Sequence, residues 1–141
     1  MVREAGRTAE ASTYLVPFGR LLFALLFLAA APMHFTAQGV QYAASEGVPL
    51  AEILVPLSGV LALLGGLSVL LGYHARVGAQ LLVAFLLPVT LVMHDFWSVA
   101  EPMAAQLQQV MFMKNVAILG GALLLMHFGS GPFSLDRRRR P

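Results

Sequence analysis

The sequence predicts an all-α integral membrane protein, a four-transmembrane-helix bundle with both termini cytoplasmic. Three observations carry that expectation. The 141 residues are 58% hydrophobic and only 11% charged, against about 25% charged in an ordinary soluble domain. Four apolar runs are each long enough to cross a bilayer. Outside those runs, Lys and Arg occur only in alternate connections, the pattern of a four-span chain under the positive-inside rule.

Residues 1–13 are polar and mixed in charge, with Arg3, Glu4, Arg7 and Glu10. They read as a short terminal segment, frayed or lying on the surface. The first span covers residues 14–35. Arg20 is its only charge, near the start, where a long side chain snorkels to the headgroups. Ala29-Ala30-Ala31 also resembles a signal-peptide cleavage site. The later runs need this one as a bundle partner, so it is read as a retained span.

Residues 36–52 form a linker with Gly39, Gly47 and Pro49, and a short surface helix is expected over 37–45. Its charges are Glu46 and Glu52. The second span, residues 53–73, carries no charge. Pro56 falls in its first turn, where the missing N–H costs least. Ser58, Ala62 and Gly66 make a small-residue stripe that lets another helix approach closely.

Residues 73–76 read as a tight turn holding His74 and Arg76. The third span covers 77–97, with a kink expected at Pro88 because one backbone hydrogen bond is lost. Residues 98–109 read as a loop with Glu101, Pro102 and several Gln. The fourth span covers 110–128, with Lys114 and Asn115 in its first turns and Ala117 and Gly121 as a second small-residue pair. Gly129, Gly131 and Pro132 end it. Residues 129–141 form a basic cytoplasmic tail with Asp136 and Arg137 to Arg140, the main source of the net charge of +2.

Arg3, Arg7, Arg76 and the Arg137–Arg140 run then share one side, and that side is cytoplasmic. A weak internal echo supports two related hairpins: Leu21-Leu22 with Met33-His34 recurs as Leu81-Leu82 with Met93-His94.

With this topology, His34, Glu52, His94, Asp95, Lys114 and Asn115 fall near the outer ends of the helices. They come from all four spans, and in a bundle they could meet at one polar mouth. Ionisable residues at membrane depth are costly and are functional candidates by default. A neutral His could donate to a quinone carbonyl, and Trp97 could stack on a ring. These seven residues are the candidate cofactor-binding set, with quinone as the cofactor considered. The structural alternative makes Trp97, Phe96 and Phe35 interfacial anchors, Lys114 a snorkelling residue and Asn115 a bridge between helices. His74 reads as solvated and His127 as interfacial.

Met33, Met93, Met103, Met111 and Met113 join His34 and His94 on the outer side. Thioether plus imidazole suits Cu(I), but the spacing matches no recognised motif and Met is a common packing residue. Copper and haem therefore rank low, and no residue is assigned to a metal. The absence of cysteine excludes disulfides, thiolate catalysis and Cys-ligated clusters in this chain. No Gly-rich phosphate loop, GxSxG or HExxH is present. A basic tail beside a span is an orientation signal and not a nucleic-acid site.

The pattern His94-Asp-Phe-Trp97, a Gln-rich loop, then Phe112-Met-Lys-Asn115-Val-Ala-Ile-Leu-Gly120-Gly121 and Gly131-Pro-Phe-Ser-Leu-Asp136 resembles the DoxX family of small bacterial membrane proteins. The resemblance covers about residues 14–136. It implies a four-helix inner-membrane protein, working as the membrane subunit of a redox complex, quinone-linked, with a soluble redox enzyme as partner. Lys114, Asn115 and the His94–Trp97 segment are the motif positions it carries over. The expected function is thus a redox-complex subunit, not catalytic alone, embedded in the lipid bilayer as a homo-oligomer or complex subunit. A non-enzymatic anchor or assembly protein is the alternative, and a small solute transporter ranks last because spans two and four offer little polarity.

Overall fold

The structure, a computed structural model, describes residues 2–138, with side chains described for residues 13–137. Arg139 and Arg140 of the expected basic tail lie outside the described residues. Four helices are long and apolar enough to cross a membrane: α1 (Val2–Ala30), α3 (Ala51–Leu71), α4 (Ala75–Met93) and α5 (Pro102–Phe128). Short helices α2 (Ala37–Ser45) and α6 (Leu135–Arg138) complete the all-α architecture. It is consistent with a four-span membrane bundle.

Local chemistry sets the ends of these helices. α1 tightens into a 3-10 turn over Ala31–Phe35. The Thr36 hydroxyl then accepts from the Gly39 N–H and opens α2, where the linker was expected to hold a surface helix. α3 stops at Gly72, whose φ of 61° is left-handed. A Cβ at Gly72 would collide with the Arg20 guanidinium and with Ser134, so the turn needs glycine on both counts.

Three expected boundaries move. α1 is helical from Val2, so the segment expected to be frayed or surface-lying continues the first helix. α3 begins at Ala51, which places Pro56 on the second turn and not the first. α5 begins at Pro102, inside the stretch expected to be a loop to residue 109. The Glu101 carboxylate accepts from the N–H groups of Met103 (3.0 Å) and Ala104 (2.5 Å), and Pro102 occupies the first helical position, where it needs no N–H partner. α4 runs unbroken through Pro88.

α3 is the central helix: it packs on α1 and on α4, and α4 packs on α5. The core gathers Ala24, Phe27, Ala31, Ala62, Val69, Leu82, Phe85 and Leu86. Small residues set the approach of the helices. A Cβ at Gly65 would lie 2.7 Å from the Leu82 side chain and 2.9 Å from the Gly78 carbonyl oxygen. Gly66 of the predicted stripe meets Leu28 of α1, and Gly121 meets Phe23. The fourth span is the least covered: among its described residues only Asn115 and Ala122 are buried. The remaining outward surface is Leu, Val, Phe and Met, the composition of a lipid-facing wall.

Candidate functional site

At the end away from the termini, the seven sequence-selected residues fall into separate groups. His34 sits between α1, α3 and α4. The Ser58 hydroxyl donates to the Val55 carbonyl at 2.7 Å, so its proton is committed. His34 Nδ1 must therefore donate to Ser58 Oγ, at 2.8 Å. The His34 ring meets Phe85 edge-on at 5.5 Å. Phe85 lies two turns before Met93, the last residue of α4, which is about 12 Å at 1.5 Å per residue. His34 thus sits deeper in the bundle than His94.

His94 ends α4, and its Nδ1 bonds the Gln108 amide oxygen at 2.7 Å. Asp95 accepts from the Ser98 hydroxyl within the next turn. Trp97 packs against Phe96 and Phe112, with ring centroids at 5.1 and 5.9 Å, and stays 60% exposed. Lys114 and Glu52 are exposed, and Asn115 is buried on α5. No hydrogen bond or ion pair among the described residues joins any two of the seven. The Met-His echo also splits, because His34 is held by a Ser within the bundle and His94 by a Gln at its rim. Glu52 lines a recess of about 440 Å³ between α2 and the start of α3, with Val40, Leu50 and Ile53. No group of three or more His, Asp or Glu side chains placed to hold a metal occurs among the described residues.

The opposite, basic end holds a polar cluster that the sequence reading did not assemble. Arg20 does not snorkel: it is 3% exposed. Its two Nη groups donate to the carbonyls of Ser130 and Phe133, both at 2.7 Å. Such charge-assisted bonds compensate the burial of a guanidinium, and Asp136 adds a counter-charge. The Asp136 carboxylate accepts from the N–H of His74 at 2.7 Å and of Ala75 at 3.2 Å, and from the Ser130 hydroxyl at 3.3 Å. It thereby caps the start of α4 from a segment 61 residues away. Burial opposes its ionisation, but these donors and the nearby His74 outweigh burial and hold its pKa below the ordinary value. The Asp136 N–H donates to the Gly72 carbonyl at 2.9 Å, and Phe133 stacks on Tyr14 at 5.2 Å.

Residues 130–136 therefore clasp α1 to the α3–α4 turn. One signal of this was present in the sequence. A single Arg in the first span and a single Asp just past the fourth are the natural pair of opposite charges on one side of the membrane.

The profile of the SURF4 family matches the chain over residues 1–141. An inner membrane protein of Escherichia coli, YphA, is 31% identical over 99 residues, covering 70% of each chain. The Surfeit locus protein 4 homolog of Schizosaccharomyces pombe is 29% identical over 129 residues, covering 91% of this chain and 38% of the yeast protein. No solved structure matches. The expected location, a multi-pass protein of the bacterial inner membrane, agrees with the first of these relatives.

These matches correct the DoxX resemblance. Half of the Lys114–Gly121 segment of that pattern faces outward: Lys114, Val116, Ala117 and Gly120 are exposed. Small and apolar helix faces of that kind recur in unrelated membrane proteins. The quinone-linked redox-subunit function was implied by that resemblance and is corrected with it. The chain belongs to the SURF4 family.

Proposed function

We propose that this SURF4-family chain is a multi-pass membrane receptor, which binds a partner polypeptide at the end of the bundle away from its termini and carries out no chemistry itself. Its basic end, with both termini, faces the cytoplasm, in keeping with Arg20, Arg76 and Arg137 at that end. The observation that carries the reading is the recess between α2 and the start of α3. Leu50, 73% exposed and held at a left-handed φ of 47°, and Ile53, 64% exposed, stand at its rim beside the exposed Glu52. Apolar anchors next to a carboxylate with no partner among the described residues suit a partner segment that pairs an apolar residue with a Lys or Arg.

The other polar groups at this end favour binding over catalysis. Acid–base chemistry needs two groups within reach of one reacting atom. Here His34 is bonded to Ser58 within the bundle and His94 to Gln108 at its rim, while Asp95 and Glu101 are bonded into their own turns, so no two of them share a partner.

The test is a photoreactive amino acid at Gln41, in the recess, compared with one at Leu22, on the outward face of α1. The receptor reading expects a discrete protein adduct of one mass from Gln41, absent from Leu22 and lost when Glu52→Arg is added. Adducts that are the same from both positions, or that ignore the charge reversal, would overturn it.

A further inference from the structure

At the basic end, a recess of about 870 Å³ opens between the start of α4 and the segment after α5. His74, Arg76 and Arg137 line it together with Val77 and Phe128. Its acid, Asp136, is already engaged by the N–H groups of His74 and Ala75 and the Ser130 hydroxyl. Arg76 differs. It has no hydrogen bond or ion pair among the described residues and lies across Gly129, where a Cβ would sit 3.3 Å from its Nε. Its five N–H donors are left for a ligand.

The apolar lining is as informative as the charge. Val77 is 51% exposed and Phe128 73% exposed. One sits in the first turn of α4 and the other is the last residue of α5. That is the level at which hydrocarbon gives way to headgroups. A recess lined by both arginines and exposed apolar side chains has the amphipathic pattern of a phospholipid.

We propose that this recess binds the phosphate headgroup of an anionic phospholipid. Arg76 and Arg137 take the phosphate, with the planar Arg76 fork suited to two of its oxygens. The acyl chains run along Val77 and Phe128. A soluble phosphate would use the arginines and leave the exposed Val77 and Phe128 unused, which is why the lipid is the favoured source. Basic pockets between helices on the cytoplasmic side are general sites for anionic headgroups.

The experiment uses the purified full chain in mild detergent. Native mass spectrometry compares retention of phosphatidylglycerol and phosphatidylcholine with matched acyl chains. The expected result is one tightly held phosphatidylglycerol, preferred at least tenfold over phosphatidylcholine. That preference should disappear in Arg76→Gln/Arg137→Gln, survive largely in Arg76→Lys/Arg137→Lys, and be unchanged in Lys114→Gln at the other end. Equal retention of the two lipids by the unmodified chain would overturn the proposal, and this comparison stands even if the Gln variant fails to fold. A preference that survives the Gln variant would also overturn it. So would thermal stabilisation by inorganic phosphate equal to that by phosphatidylglycerol, which would mark a site for soluble anions.

Discussion

Replacing Arg20 by Met tests the clasp most severely, because the two side chains have similar length and only one carries donors. The change removes two bonds of 2.7 Å, to the carbonyls of Ser130 and Phe133. Hydrogen bonds from a charged group contribute about 1.5–3 kcal/mol each, so the gross loss is about 3–6 kcal/mol. Part of that is returned. Arg20 Nε is buried without a partner among the described residues, and an unsatisfied buried donor costs about 1–3 kcal/mol that Met avoids. At the middle of both ranges the net expectation is a destabilisation of about 2.5 kcal/mol. Arg20→Lys should lie between, since it keeps the charge facing Asp136 but loses the fork. Equilibrium unfolding in mixed micelles measures the difference, with Trp97 fluorescence at the far end reporting the whole bundle. Arg20→Met within 0.5 kcal/mol of the unmodified chain would refute the view that this buried guanidinium ties the basic end together.

The clasp also implies a pH dependence. The folded pKa of Asp136 lies below its ordinary 3.8, so its contribution is fully present above that value and is lost as pH falls through the lowered one. Unfolding measured from about pH 5 down to about pH 2 should show this acid loss, beginning below the ordinary carboxylate value, and Asp136→Asn should flatten it. At the other end of the bundle, Glu101→Ala should leave the Met103 and Ala104 amides without their acceptor. Hydrogen exchange should then quicken in the first turn of α5 and not at Ala122. Gly65→Leu places side-chain atoms where Leu82 and the Gly78 carbonyl already lie. It should separate α3 from α4, at a cost of about 3 kcal/mol or more, and reduce the yield of folded protein, while leucine at Gly120, where a Cβ meets nothing within 4 Å, should be tolerated.

The spans were legible because hydropathy and length are local properties. Ile53 to Leu71 and Val77 to Met93 need no distant information to read as membrane helices. The surface helix over Ala37–Ser45 was legible for the same reason. The start of α5 was hidden by composition: Gln106, Gln108 and Gln109 look like loop, while the Glu101-Pro102 start signal is only two residues long. Arg20 was misplaced because its partners are 110 and 113 positions away, and nothing local separates a snorkelling Arg from a clasped one. The same distance hid His74, which donates its N–H to Asp136. The candidates selected from the sequence lie, as the topology implied, at the end of the bundle away from the basic clasp. The topology did not resolve depth, and depth is what separates His34 from His94. The family was misread for a related reason, since helix faces made for lipid and close packing draw on a small alphabet.

The account turns on which side of the membrane holds the clasp and its recess, and the natural absence of cysteine makes that directly measurable. Single cysteines at Ala44, exposed on α2, and at Leu135, 38% exposed beside the clasp, would be treated with a membrane-impermeant maleimide in spheroplasts. The account predicts labelling of Ala44→Cys in intact spheroplasts and of Leu135→Cys only after the membrane is opened. Labelling of Leu135→Cys in intact spheroplasts would contradict it, and would place the arginine recess and the partner-binding rim on the wrong faces.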